Sequence, residues 1–239
     1  MNILLIPIAP LFRTKSRLRK CFSKKQLKDL TIAMFKDLAL KLKEVECFNY
    51  KIVYCNSKEI LDLAETFGLI GIKENFTSPR KTFDEVINDL NQIAINEYNA
   101  QSTVFTFLDI ILIAVQNFYE ISKLTKENQL VICPAISSAG ISILGRNPAD
   151  IIPTFFSDRY IPSLLALLDA AEKAKIKTAI YDSFRAGFDI DIKQDLVLAY
   201  QYLKIFGLSD SETYTFLKKN LNLNLMKKNT KDNRMFKIS

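Results

Sequence analysis

The sequence predicts an α/β fold, a three-layer α/β/α sandwich around a mostly parallel central sheet. Three observations predict it. Apolar runs of strand length recur along the chain, beginning with Asn2–Ile8. Segments with apolar residues at helical spacing stand between them. These segments are long enough to act as crossovers, which return the chain to the same end of the sheet and leave neighbouring strands parallel.

Asn2–Ile8 is apolar almost throughout and ends at a proline, as suits a strand buried on both faces. A basic loop follows. Ser23-Lys-Lys-Gln26 has the pattern of a capping box, and Leu27, Leu30, Met34, Leu38 and Leu42 then recur at helical spacing, which predicts a helix over 24–43. Residues 50–55 read as a second strand. Ser57 is placed to cap a helix that buries Ile60, Leu61 and Ala64, with Gly68 as its C-terminal stop. A third helix is expected over 83–98 and a strand over 103–108, ending on Asp109. A helix over 115–125 and strands over 130–133 and 140–144 come next. Pro162 opens a helix to about 173, at a position where its missing amide hydrogen costs nothing. A strand over 177–181 and helices over 193–206 and 211–219 complete the ordered part. No repeat or Gly/Ser-rich linker divides the chain, so one domain over 1–225 is expected, followed by a basic, flexible tail over 226–239.

Composition narrows the chemistry. The 239 residues include no histidine and no tryptophan, while 17 Phe and 9 Tyr supply aromatic bulk. Ser-His-Asp and Cys-His catalysis, histidine-ligated zinc and imidazole acid–base steps are therefore excluded. Cys21, Cys47, Cys55 and Cys133 form no C-x-x-C pair and read as small apolar residues in a reducing compartment. No apolar run approaches membrane-span length, and the first residues lack the pattern of a signal peptide, so a cytoplasmic protein is expected. The net charge of +7 resides in two places, the Arg13–Lys25 loop and the tail, and the remainder is mildly acidic. That distribution argues against a nucleic-acid binder, which needs a broad basic face, and no membrane partner is expected either.

Three segments place reactive groups where ligands bind in such sheets, beyond the carboxyl ends of strands. The first runs from Pro7 to Leu18. Its amides and cations suit a polyphosphate, with Lys15 as a point charge and Arg17 as a two-pronged donor; the bland alternative is a solvated basic loop. The second is Asp109, at the end of an apolar strand. The third is Gly187-Phe-Asp189-Ile-Asp191, whose two carboxylates, two residues apart in extended chain, project to the same side. Asp109, Asp189 and Asp191 together suit Mg²⁺, an oxygen-loving ion that usually also takes substrate phosphates. For Asp191 the alternative is an N-cap on the following helix. An acid after a central strand, a distant D-x-D and a basic first loop point together to nucleotidyl transfer.

The segment Ile180-Tyr-Asp-Ser-Phe-Arg-Ala-Gly-Phe-Asp-Ile-Asp191, followed by Gln194-Asp-Leu196, carries a specific likeness, as do Thr14-Lys-Ser-Arg-Leu18 and Asp89-Leu90-Asn91. In these the chain resembles the archaeal 2-phospho-L-lactate guanylyltransferases of coenzyme F-420 biosynthesis, a nucleotidyltransferase branch of the GT-A-like fold. The likeness extends over most of residues 1 to about 220. It implies transfer of GMP from GTP to a small phospho-acid, with 2-phospho-L-lactate first and phosphoenolpyruvate or 3-phosphoglycerate as other acceptors, using Mg²⁺ and working as a homodimer. It assigns Lys15 and Asp109 to catalysis, Pro7, Lys15, Ser16, Arg17 and Asn91 to the nucleotide, and Asp109, Asp189 and Asp191 to the metal. Ser138, Gly140 and Ser163 fall in the acceptor segments. There the chain departs from its relatives: a glycine-rich run ending in Thr and Asn becomes Ser137-Ser-Ala-Gly-Ile141, and Pro162-Ser-Leu164 keeps only the serine of the second segment. Ala9 replaces a lysine, and Asp109-Ile-Ile-Leu112 lacks the family's proline. A nucleotide-binding relative without turnover is the rival reading of those changes.

Overall fold

A computed structural model describes residues 1–221, 225–229 and 232–238, the last two segments by their backbone course alone. Seven strands form one sheet in the order β3-β2-β1-β4-β6-β5-β7. They are β1 (Asn2–Pro7), β2 (Tyr50–Cys55), β3 (Ile70–Lys73), β4 (Ser102–Thr106), β5 (Leu130–Pro134), β6 (Ile141–Arg146) and β7 (Thr178–Ile180). Only β6 runs against its neighbours, pairing antiparallel with both β4 and β5. The other pairings are parallel, so the sheet is mostly parallel, as the sequence predicts.

The helices follow from their apolar spacing and caps. In α1 (Lys24–Lys43) Ser23 and Gln26 form the expected capping box, and Leu30, Phe35, Leu38 and Leu42 are buried. Ser57 stands at the N-cap of α2 (Lys58–Thr66), yet its side chain makes no capping bond. α3 (Phe83–Tyr98) carries a Thr82–Glu85 capping box, and α4 spans Val115–Glu127. α5 (Ser163–Lys173) has Pro162 as its N-cap, and α6 (Phe184–Gly187) is a single turn capped by Ser183. α7 (Lys193–Ile205) and α8 (Glu212–Asn220) complete the domain.

Alternate residues of each strand face opposite layers. Leu4, Ile6, Val53, Val104 and Val131 meet α1, α2 and α4, whereas Ile3, Leu5, Ile52, Phe105 and Ile132 meet α3 and α5. A third cluster packs α7 and α8 on the flank of α1, around Leu27, Leu30, Met34, Leu196, Leu203 and Leu217. Strand β3 goes unpredicted, because Ile-Gly-Ile-Lys is too short to display a period and its glycine fits closely against Leu61. Where a flexible tail is expected from 226, the backbone forms β8 (Leu225–Asn229) and β9 (Asp232–Ile238), which pair with each other.

Two features position the functional end. The chain leaves β1 outward to β2 and β3, then returns to β4 on the other side of β1, so a topological switch point lies between β1 and β4. In addition, Gly187 brings the 183–191 segment against the end of β5. Its carbonyl accepts from the Ile136 amide at 2.9 Å and from the Ser142 hydroxyl at 3.3 Å. A Cβ there would stand 2.7 Å from the Pro134 carbonyl oxygen. Gly187→Ala is expected to destabilise the protein by about 1–3 kcal/mol through overpacking against rigid backbone. Urea denaturation measures this, and an unchanged midpoint would contradict the close approach.

Candidate active site

A cavity of about 670 Å³ opens at the switch point. Pro7 at the end of β1, Ile8 and Ala9 after it, Phe107 to Asp109 after β4, and Ala135 after β5 line it. Arg13, Lys15, Ser16 and Arg17 form its charged end together with Asp109, Asp189 and Asp191, and Ser138, Gly140, Ser142 and Ser163 also face it. Every site residue proposed from sequence is here except Asn91.

Asn91 is a correction. It is 1% exposed on the inner side of α3, accepts from the Thr103 hydroxyl at 2.9 Å and donates to the Ala149 carbonyl at 3.2 Å. Both halves of its amide are used in holding α3 to β4 and the loop after β6, so it has nothing to offer a nucleotide. Asn91→Ala should lower stability by about 1–3 kcal/mol, the usual cost of orphaned buried partners. Thermal melts check that expectation.

The centre of the charged end is Lys15. The loop turns through hydrogen bonds that the Arg13 and Thr14 amides donate to the Pro10 carbonyl, and the Thr14 hydroxyl meets that of Thr31 at 2.9 Å. Lys15 itself adopts the left-handed conformation, φ 47° and ψ 44°, which non-glycine residues rarely take. That bend sends its side chain inward. The ammonium is hydrogen-bonded to Asp109 in a short contact, donates to the Ile190 carbonyl at 2.6 Å and reaches Asp191 at 3.5 Å. Burial alone would lower its pKa, but the carboxylates of Asp109 and Asp191 outweigh it and hold the pKa above the ordinary lysine value. Arg17, far more exposed, donates to the other Asp191 oxygen at 2.9 Å.

The acidic segment is fixed from behind. Asp191 is not the N-cap of α7. Ile192 holds that place, and the Asp195 carboxylate accepts from both the Asp191 and Ile192 amides at 2.8 Å. The Asp191 side chain is thereby left to the cations. The Ile190 amide donates to the Asp109 carbonyl at 3.3 Å, so the two acidic segments lie side by side. After Asp109 the buried turn 110–113 is held by cations that sequence reading missed. Lys41 donates to the Ile111 carbonyl at 2.9 Å and Arg185 to the Leu112 carbonyl at 2.7 Å. Burial lowers the Lys41 pKa to about 8.

The opposite end of the cavity is aromatic. Phe83, Phe107 and Phe156 stand with ring centroids 5.4–5.9 Å apart. The Asp84 carboxylate places Phe156 by accepting from its amide at 2.9 Å, from the Ser157 amide at 2.8 Å and from the Thr154 hydroxyl at 2.6 Å. In sequence these phenylalanines look like ordinary core residues, and no short motif marks them. Ile141, at the start of β6, is 7% exposed and packs in the apolar cluster.

Asp189 Oδ1 is buried without a hydrogen-bond partner. Burial, reinforced by the charges of Asp109 and Asp191, pushes its carboxyl up to about 7. Carboxylate oxygens with a free buried acceptor fit a hard cation such as Mg²⁺, which needs only one or two carboxylates when phosphates and water complete its shell. Among the described residues, however, no three His, Cys, Asp or Glu side chains are grouped closely enough to enclose a metal by themselves. Because the Asp189 pKa is higher folded than unfolded, its ionisation costs stability progressively as pH rises from about 4 through 7, and in full above that. Asp189→Asn should therefore raise the melting temperature at pH 8 and hardly change it at pH 4, as read by calorimetry.

The family model described as "Guanylyl transferase CofC like" matches residues 1–238. The chain belongs to that family. Within it, the chain is 28% identical over 193 residues to a 2-phospho-L-lactate guanylyltransferase of Methanocaldococcus jannaschii, covering 80% of this chain and 79% of that one. It is 27% identical over 215 residues to the protein of the same name from Methanocaldococcus vulcanius, covering 86% and 91%. Among solved structures, one described as a candidate nucleotide-diphospho-sugar transferase of Desulfovibrio desulfuricans G20 superposes with a TM-score of 0.73 at 14% identity, covering 92% of this chain and 94% of that one. A cytidylyltransferase from Leptospira borgpetersenii follows the same fold with a TM-score of 0.55 at 15% identity, covering 91% and 92%. The family and the fold make this chain a nucleotidyltransferase enzyme. Among the described residues no helix is long and apolar enough to cross a membrane.

Proposed function

We propose that the protein transfers GMP from GTP to the phosphate of a small phospho-acid, with 2-phospho-L-lactate as the first candidate, in coenzyme F-420 biosynthesis. The observation that carries this reading is the cluster of Lys15, Arg17, Asp109, Asp189 and Asp191 at the switch point, in a cavity whose other lining is aromatic and hydroxylic. The relatives named for this reaction support the choice of nucleotide and acceptor.

An oxygen of the acceptor phosphate attacks the α-phosphorus of GTP, one P–O bond forms, and the bond to the departing pyrophosphate breaks. The attacking phosphate is already anionic near neutral pH, so the step needs no side-chain base, in keeping with a chain that has no histidine. What the protein must supply is alignment and positive charge. Lys15, Arg17 and Arg13 offer that charge to the triphosphate, and the Ser16 hydroxyl and first-loop amides offer hydrogen bonds. Asp109, Asp189 and Asp191 would hold Mg²⁺, which when bound neutralises the developing phosphate charge. Phe83, Phe107 and Phe156 provide an apolar surface that excludes water. Ser138 and Ser163 present hydroxyls at the acceptor side, where Gly140 leaves the backbone open.

Pyrophosphate release from GTP, assayed with 2-phospholactate, phosphoenolpyruvate and 3-phosphoglycerate in turn, tests the reading. Release with one of them supports it, and silence with all three overturns it. In the active combination, Asp109→Asn and Asp189→Asn should each abolish turnover in folded protein. Arg17→Ala should weaken GTP binding by about 1–3 kcal/mol. Ser163→Ala should raise the acceptor KM by a factor on the order of ten without changing GTP affinity.

A further inference from the structure

An ammonium carries three hydrogens, and Lys15 spends all three on oxygens of the acidic cluster: Asp109, the Ile190 carbonyl and Asp191. In this arrangement Lys15 has none left for a phosphate. Nor can a divalent cation use the carboxylate oxygens that Lys15 occupies. The side chain is only 10% exposed, while Arg17 beside it is 69% exposed. Arg17 can meet an arriving ligand as it stands; Lys15 cannot.

We propose that Lys15 is a resident counter-cation that fills the carboxylate cluster until a nucleoside triphosphate draws its ammonium away, so that a divalent cation joins the site after the nucleotide and not before it. The inference rests on the nucleotidyl-transfer reading of this cavity. Three considerations support it. The three carboxylates face two cations, Lys15 and Arg17, and one carboxylate oxygen, Asp189 Oδ1, is buried without a partner, so the cluster has acceptor capacity to spare. Yet among the described residues these acids are not grouped closely enough to form a metal cage as they stand, and the Lys15 ammonium bridges Asp109 and Asp191. A divalent cation arriving alone would have to eject a buried ammonium with no anion to receive it, whereas a triphosphate supplies oxygens that replace each hydrogen bond the ammonium gives up.

Binding of Mn²⁺ to nucleotide-free protein, followed by the electron paramagnetic resonance of the free ion, tests this without turnover. Lys15→Asn removes the charge with a residue that tolerates left-handed backbone, and Lys15→Met removes it with similar bulk. Both should bind Mn²⁺ at least tenfold more tightly than the wild type, while Lys15→Arg should stay as weak as the wild type. Neutral variants that fold, by circular dichroism, and bind no more tightly than the wild type would overturn the proposal. The wild type alone provides a second reading that needs no variant. Saturation with a non-hydrolysable α,β-methylene GTP should tighten its Mn²⁺ binding at least tenfold beyond what the free analogue captures. Equal binding with and without the analogue would overturn the proposal as well. Failure of guanylyl transfer shows elsewhere, as absence of pyrophosphate with every acceptor, and these Mn²⁺ comparisons do not depend on it.

Discussion

The ion cluster around Lys15 is the contact on which the functional end of this molecule depends. It joins three stretches of chain that are far apart in sequence: the loop after β1, the acid after β4 and the segment after α6. Like-charged carboxylates sharing a half-buried space repel one another unless a cation stands between them or one takes up a proton, and a buried ammonium is costly without anions around it. Each side offsets the cost of the other. The caps and pins around the cluster serve this one meeting point. Asp195 takes the amides beside Asp191, and Lys41 and Arg185 take the carbonyls after Asp109.

The fold explains why the meeting occurs here. In a parallel sheet the carboxyl ends of several strands share one edge, and a reversal of strand order opens a crevice between the two central ones. Here β1 and β4 are those two; Asp109 lies just beyond the end of β4, and the loop after β1 folds back to deliver Lys15. The aromatic trio is delivered by β4, α3 and the loop after β6, so one cavity acquires a charged end and an apolar end from neighbouring elements.

Much of this was legible in the sequence, and the reasons for the rest are physical. The buried strand at the N-terminus and the capping box of α1 follow from local chemistry and appear where expected. The candidate site was recognisable because its residues are charged groups at the ends of apolar runs. What was not legible were properties set by partners distant in the chain. Lys15 and Asp109 are 94 positions apart, so no local pattern shows that they pair. The left-handed turn at Lys15 carries no glycine to announce it. Asn91 misled because a buried polar side chain and a ligand-binding one look alike until their partners are seen. The Ser57 hydroxyl sits at a helix start without serving as its cap, a choice that propensity alone does not determine.

The single reversed strand has a consequence of its own. Because β6 runs backward between β4 and β5, the Ser137–Ile141 connection is the tip of a hairpin and not the mouth of a crossover. A hairpin tip can change its residues while the ladder below keeps its register, whereas a crossover loop is bound to the helix it feeds. The cations and acids of the cluster lie on other connections, tied to one another across the sheet. The half of the cavity built on the hairpin can therefore change its residues while the half that holds the ion cluster stays tied across the sheet.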